Sequence, residues 1–311
     1  MKHYLLLSIA VIVAVSCQEE PKNMGWKYSH SIAVDGINPI GIALARDGLW
    51  LSDGDHFRVV RVNEEGVIVQ AIDSLDRPMH IATHKGQLVI PQYGNDEVIR
   101  MTVDEERFRE PASPPGRSEK IIISLSDSLD APAGADIRAN EIAIADFYNN
   151  KVHYAGNDNL WIAFGKEGKA EGEFYYPTDV QITEDALWVA DAYNNRLQKF
   201  TKKGEHLLTV GEDQNMNAAT GIYVSDTQVF STDFENDRVL VFDQEGNYKQ
   251  SLTETIEKPT DVLIKDGLLY VANYKSSSLS VYMWGELEPI EENHQEHQHD
   301  EHEVLKDNDV I

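Results

Sequence analysis

Three side chains of this sequence, His80, Asp179 and Asp261, have the makings of an acid–base or metal-binding cluster. One imidazole and two carboxylates can hold a divalent cation, hydrogen-bond a polar ligand or share a proton. Far apart in the chain, they are joined by register: each stands two residues into a repeated unit, the units starting at Pro78, Pro177 and Pro259. Units starting at Pro39, Pro132 and Ala219 carry Gly41, Gly134 and Gly221 at that place. Glycine there is expected to leave a channel mouth open and uncharged, with the three polar residues around it. Carboxylates facing each other across a partly dry channel repel, so at least one pKa should rise unless a cation or a protonated His80 offsets them. The plainer expectation is three hydrogen-bonded channel residues with ordered water.

A rim of rings accompanies them. Fifteen to seventeen residues into the units come Tyr93, Phe147, Tyr148, Tyr193, Phe234 and Tyr274, together with His56 and Lys275. With the channel residues they form the expected ligand-binding face. A second histidine group, His294, His297, His299 and His302, lies in an acidic C-terminal stretch. Imidazoles so spaced among carboxylates chelate Zn2+, Cu2+ or Ni2+ weakly, or are incidental to a solvated tail. No G-x-S-x-G nucleophile turn and no phosphate-cradling glycine loop occurs, so no catalytic residue is assigned. A divalent cation is the one cofactor the cluster would take.

The elements that must position these residues are clearest in 177–204, PTDVQITEDALWVADAYNNRLQKFTKKG. A short alternating run at Val180 and Ile182 is followed by a turn at Glu184-Asp185, an apolar run at 187–190, Asp191, a turn at Asn194-Asn195 and a third run at 197–200. Period-2 runs of this length, punctuated by Asn, Asp and Gly, read as antiparallel strands joined by hairpins. The unit recurs six times, its starts separated by 39, 54, 45, 42 and 40 residues. That spacing is the period of four-stranded propeller blades, which bury their faces only by stacking on neighbours. Fourteen residues into the units stand Asp53, Gln92, Asp146, Asp191, Asp233 and Asn273, and five further on Arg58, Glu97, Lys151, Arg196, Arg238 and Ser278. Where the acid is lost the base is lost too, which points to a pair in contact. Such a pair either ties the second strand to the third within each blade or forms a ring of charge for a ligand.

These units resemble NHL repeats: P-x-G-(I/V), then a strand ending V-A-D, then x-x-N-x-R-(V/I). The likeness runs over roughly 27–284 and is clearest in FGKEGKAEGEFYYPTDV leading into WVADAYNNRLQKF, with ADFYNNKV and STDFENDRVLVF as further copies. Gln92, Glu97, Asn273 and Ser278 depart from the pattern. The resemblance implies an all-β, six-bladed β-propeller of four-stranded NHL-type blades. The last unit has three strands, so the strand-like segment 27–35 is expected to close the ring and remove the exposed edges. Amidating lyases and gluconolactonase-type lactonases share the six-bladed plan, but the catalytic residues of neither can be placed here. Fold alone does not give activity.

The chain ends predict an exported, anchored protein. An apolar run at 5–15 ends at Ser16-Cys17, too short to span a bilayer and shaped like a secretory signal. Ala14-Val15-Ser16-Cys17 resembles a bacterial lipobox without its usual leucine, making Cys17, the sole cysteine, the expected acylation site; an ordinary signal peptide containing a cysteine is the alternative. Gln18-Glu19-Glu20 resembles the acidic export tag of surface lipoproteins of some Gram-negative bacteria. The domains are then a signal peptide at 1–16, acylated Cys17 and linker to 26, the propeller at 27–285 and a disordered acidic tail at 286–311. The insertion at 104–120, rich in charge and carrying Pro114-Pro115-Gly116, reads as an exposed loop, either decoration or a partner-binding flap. Net charge is −26, of which the tail supplies −9 through ten acids against Lys306, leaving −17 for the rest. This disfavours nucleic acid and anionic membrane surfaces and leaves the lipid as the only membrane contact. The expectation is a monomeric cell-envelope lipoprotein, of the outer membrane of a Gram-negative bacterium, that binds an envelope protein or a small ligand as a scaffold. A metal-dependent lyase or lactonase using the channel face is the alternative.

Overall fold

The computed structural model describes residues 23–103, 120–123, 125 and 128–288. Cys17, His294, His297, His299, His302 and most of the 104–120 insertion lie outside the described residues. No helix among the described residues is long and apolar enough to cross a membrane. Contacts gather Gly25–Gly285 into one unit, the propeller.

Blade 4 shows how the repeat folds. Pro177–Ile182, Ala186–Asp191, Arg196–Thr201 and His206–Val210 pair antiparallel in chain order. Side chains alternate across a strand, so Val180, Leu187, Val189 and Phe200 face blade 3 while Trp188, Ala190, Leu197 and Val210 face blade 5. Each face is buried only by the next blade. The core is accordingly six layers, one between every two neighbouring blades, including blade 6 against blade 1 through Leu263, Ala272 and Leu279 on Ile42, Leu51 and Val60.

Six sheets of four strands complete the ring, and the expected closing strand is present as Met24–Ala33, paired with Ser278–Glu286. It is held from two sides. Trp26 packs edge-on against Phe230 and Trp284 with centroids 5.8 and 5.4 Å apart. Gln250 of blade 5 accepts from Trp26 N at 2.9 Å and donates to Trp26 O at 2.7 Å.

The position fourteen residues into each unit has one role in all six blades. Its side-chain oxygen accepts the backbone N–H of the loop entering the inner strand, at 2.7–3.2 Å: Asp53 from Asn38, Gln92 from Asp76, Asp146 from Asp130, Asp191 from Tyr175, Asp233 from Asn217 and Asn273 from Glu257. Any side-chain carbonyl or carboxylate can do this, which is why Gln and Asn replace Asp without loss of the blade. The expected pairs with arginine form in blades 1, 4 and 5, Nε to Oδ2, at 2.9, 2.9 and 2.6 Å. Blade 3 differs from expectation: Asp146 is met by His153 Nε2 at 2.8 Å, from two residues beyond Lys151. In blade 6 Asn273 donates to Ser280 Oγ at 2.8 Å, and in blade 2 Gln92 donates to Glu97 at 3.3 Å.

A second tie joins neighbouring blades. Asp96, Asn150, Asn195 and Asp237 end the turns between second and third strands with φ of 59°, 52°, 57° and 51°, a left-handed conformation that Asn and Asp tolerate. Their Oδ1 atoms accept the N–H of Ala131, Tyr176, Ala218 and Lys258, each the residue just before the next unit, at 2.8–2.9 Å.

Candidate functional site

The six inner strands line a cavity of about 120 Å³ on the propeller axis, reached by Leu44, Thr83, Gln181, Tyr223 and Leu263 and carrying Asp179 and Asp261 on its wall. The position two residues into each unit forms its narrow level. There the two residue types alternate strictly around the ring: Gly41, His80, Gly134, Asp179, Gly221, Asp261. The glycines do not leave an open mouth, as the sequence had suggested. A Cβ at Gly221 would fall 2.4 Å from Thr260 O, at Gly134 2.5 Å from Thr178 O, and at Gly41 2.7 Å from Met79 O. Each glycine admits the backbone of the next blade, and only that next blade has a side chain to send inward.

The three inward side chains meet. His80, Asp179 and Asp261 are 3, 7 and 5% exposed, and one ligand atom from each lies within 4.8 Å of the others. His80 Nδ1 stands 3.5 Å from Asp261 Oδ2 and 3.8 Å from Asp179 Oδ2 and has no hydrogen-bond partner. Both carboxylates are oriented by backbone. Asp179 accepts Val180 N at 2.8 Å and Ile222 N, in blade 5, at 3.1 Å; Asp261 accepts Val262 N at 2.8 Å and Ile42 N, in blade 1, at 2.8 Å. They satisfy inner-strand donors that face the channel and have no strand beside them. Burial, with the Asp261 charge adding to it, pushes the Asp179 carboxyl up to about 7 against the opposing pull of His80 and the two amides. Burial alone would lower His80; the two carboxylates outweigh it and its pKa rises.

Asp136 is a channel carboxylate that the repeat position did not reveal. It stands four residues into unit three, where the other units have Ala43, Ala82, Gln181, Tyr223 and Leu263; being the only acid at that place was the available signal. It accepts Ile137 N at 2.8 Å and Ile182 N of blade 4 at 2.7 Å, and burial pushes it up to about 6.

The aromatic residues belong to a different level. Pro177 pairs with Asp191 and Asp179 with Ala190, so the rings that follow the turn position sit at the loop end of the inner strands, beyond the narrow level and away from the cavity. Tyr93, Phe147, Tyr148 and Tyr193 gather there with Tyr175 and Tyr176 of the FYYP segment, two residues that do not occupy the repeat position of the rim. Phe147 stacks on Tyr176 at 4.7 Å and Tyr176 on Tyr175 at 4.5 Å, while Tyr193 meets Tyr176 edge-on at 5.2 Å. Tyr93 donates to Tyr148 Oη at 3.0 Å, and the exposed Arg77 guanidinium lies 5.3 Å from the Tyr93 centroid. Tyr148 and Tyr193 remain 49 and 57% exposed.

Three of the named rim residues stand outside this patch. Tyr274 donates to Asp55 at 2.7 Å; burial pushes Asp55 up, but the bonds from Asn38 and Tyr274 outweigh it and its carboxyl is held low. Phe234 lies under Lys258 Nζ at 5.4 Å. His56 Nδ1 contacts Asp53 Oδ1 at 2.8 Å, at the place where Asn149, Asn194 and Asn236 donate to Asp146, Asp191 and Asp233 in blades 3, 4 and 5. Its ring is engaged in the turn of blade 1.

A family profile described as the NHL repeat matches residues 174–200. The matched unit is one of six of the same layout in a closed ring, so the fold is a six-bladed β-propeller that carries an NHL repeat in blade 4. No curated protein sequence matches it. Among solved structures it is similar to a streptogramin B lyase, 13% identical over 85% of this chain and 98% of that one with a TM-score of 0.61. A virginiamycin B lyase from Staphylococcus aureus is 13% identical over 84% of this chain and 99% of that one, TM-score 0.57. A protein from Xanthomonas campestris described as a gluconolactonase is 13% identical over 83% and 99%, TM-score 0.61. At these identities the likeness carries the fold alone.

Proposed function

We propose that the protein is a binding or scaffold module of the cell envelope, anchored by a lipid on Cys17 and engaging an envelope protein or small ligand through the loop face of its propeller. One observation carries the reading: six aromatic rings from blades 2, 3 and 4 assemble into one patch whose outer members, Tyr148 and Tyr193, stay about half exposed. Interlocked rings with hydroxyl groups at their edges give a rigid contact surface with little entropy left to lose on binding. The chain's net charge of −26 favours a neutral or cationic partner. A photo-crosslinking residue at position 193, in cells, should capture one dominant partner, and the same probe at Leu44, exposed at the far end of an inner strand, should not. Equal capture at both places overturns the loop-face reading. Cys17→Ser should end labelling by a fatty-acid probe and release the protein from membranes; continued labelling overturns the anchor.

A metal-dependent lyase or lactonase is the second reading, favoured by the His80, Asp179 and Asp261 cluster beside a cavity and, at the level of fold, by the lyase and gluconolactonase propellers. It requires turnover of a lactone or cyclic ester that His80→Ala abolishes.

A further inference from the structure

We propose that His80 Nδ1 and one carboxylate oxygen each from Asp179 and Asp261 form a binding site for a single divalent cation, with Zn2+ the ion that fits. The inference does not rest on the loop-face reading and stands apart from any chelation by the tail. The distances decide between the two things these three groups can do. If an imidazolium were shared between the carboxylates, at least one N–H···O contact would close to roughly 2.7–2.9 Å. The contacts are 3.5 and 3.8 Å, and His80 Nδ1 has no hydrogen-bond partner. Two donors bound to one ion at about 2.0–2.1 Å and at tetrahedral to trigonal angles stand roughly 3.4–3.6 Å apart. The His80–Asp261 pair has that separation at 3.5 Å, the His80–Asp179 pair is slightly wider at 3.8 Å, and the third is bounded by the 4.8 Å within which all three ligand atoms fall.

Donor chemistry narrows the ion. An imidazole nitrogen with two carboxylate oxygens suits Zn2+ and its first-row neighbours. Mg2+ demands octahedral geometry with shorter donor separations, and Ca2+ six or more oxygens. The surroundings are those of a metal centre. His80 Nδ1 is buried with no partner, and a buried polar atom left so is costly. Each carboxylate is fixed by two backbone amides, one from its own strand and one from the next blade, the outer-shell support that sets ligand direction. The cation's two positive charges balance the two carboxylates. Asp179 and Asp261 also line the axial cavity, which leaves a fourth position for water. Alternation with glycine explains how such a site arises from a repeat: three side chains, not six, converge on the axis.

The test uses the full chain carrying His294→Gln, His297→Gln, His299→Gln and His302→Gln, stripped with chelator and titrated with Zn2+ at neutral pH. One equivalent should bind, with a rise in melting temperature that grows with free Zn2+. His80→Ala in the same background removes a side chain whose Nδ1 makes no hydrogen bond, so it should fold normally and lose affinity by 100-fold or more. Asp261→Asn should weaken binding by 10-fold or more. Co2+ in place of Zn2+ should give the visible absorption of four-coordinate cobalt, lost with His80→Ala. Absence of stoichiometric uptake, or uptake that His80→Ala leaves unchanged, overturns the site. Captured partners at position 193 would be unaffected by either result.

Discussion

Two rings of side chains run round the same six blades, one at the turns and one on the axis, and they answer substitution differently. At the turns, Asp, Gln and Asn interchange because each blade needs one oxygen for one backbone N–H. On the axis, His80, Asp179 and Asp261 alternate with glycines because the neighbouring backbone comes within 2.4–2.7 Å of where the missing Cβ atoms would be. Turn positions are spaced widely enough for every blade to meet its own need. Axial positions compete for a single volume, so a substitution there has meaning only in relation to the blades on either side.

The contrast breaks first at the glycines. Gly221→Ala or Gly134→Ala forces backbone of two blades apart, and should cost about 3 kcal/mol or more in denaturant unfolding. Unchanged stability would show the axis to be slack and the alternation accidental. At the turns, Asp191→Ala strips an acceptor bonded to Tyr175 N, Asn194, Arg196 and Gln198, for a loss of about 3 kcal/mol. Asp191→Asn should cost less than half of that, since Asn273 does the same work in blade 6; equal losses would mean that charge, not the oxygen, is what the turn requires.

The next effect is a slope rather than a loss. Asp136 has its pKa raised from 3.8 to about 6 by burial. The folded protein therefore holds that proton more tightly than the unfolded chain, and the associated stability is present below about pH 4 and lost as pH rises to about 6. Asp136→Asn should flatten this part of the pH profile by about 3 kcal/mol, while the Asp179 contribution, which runs on to about pH 7, stays. A profile unaltered by the substitution would mean that Asp136 ionises freely. Smallest is Tyr193→Ala on the loop face: a change within about 0.5 kcal/mol, as for surface substitutions that break no buried contact. A large fall in melting temperature there would make the aromatic patch a part of the core.

The blade count, the closing strand and the turn pairs were legible because they depend on period, and period survives substitution. Spacing pairs Asp146 with Lys151, whereas His153 meets it; residues five and seven beyond the turn position can both reach its carboxylate, as Arg196 and Gln198 do at Asp191, and spacing does not choose between them. The convergence of His80, Asp179 and Asp261 followed from their shared repeat position. Their separation from the aromatic rim did not, because it depends on which end of the inner strand each one faces. Tyr175 and Tyr176 are not legible as rim residues for a related reason: they precede a unit start and so read as a connector, whereas Tyr193 N donates to Tyr175 O and joins both loops on one face.

The closing strand has a consequence in time. Met24–Ala33 pairs with Ser278–Glu286, so the first strand made finds its partner only in the last, roughly 250 residues later. Closing so long a loop adds only modest entropy over a short one, yet it dictates an order. Blades 1 to 5 can each zip from neighbours in sequence as they emerge, whereas blade 6 cannot finish until residue 286 is free, and until then Trp26 has no Trp284 to pack on. During synthesis the segment 24–33 therefore waits as an unpaired edge, and whatever accompanies the nascent chain must shield that edge the longest.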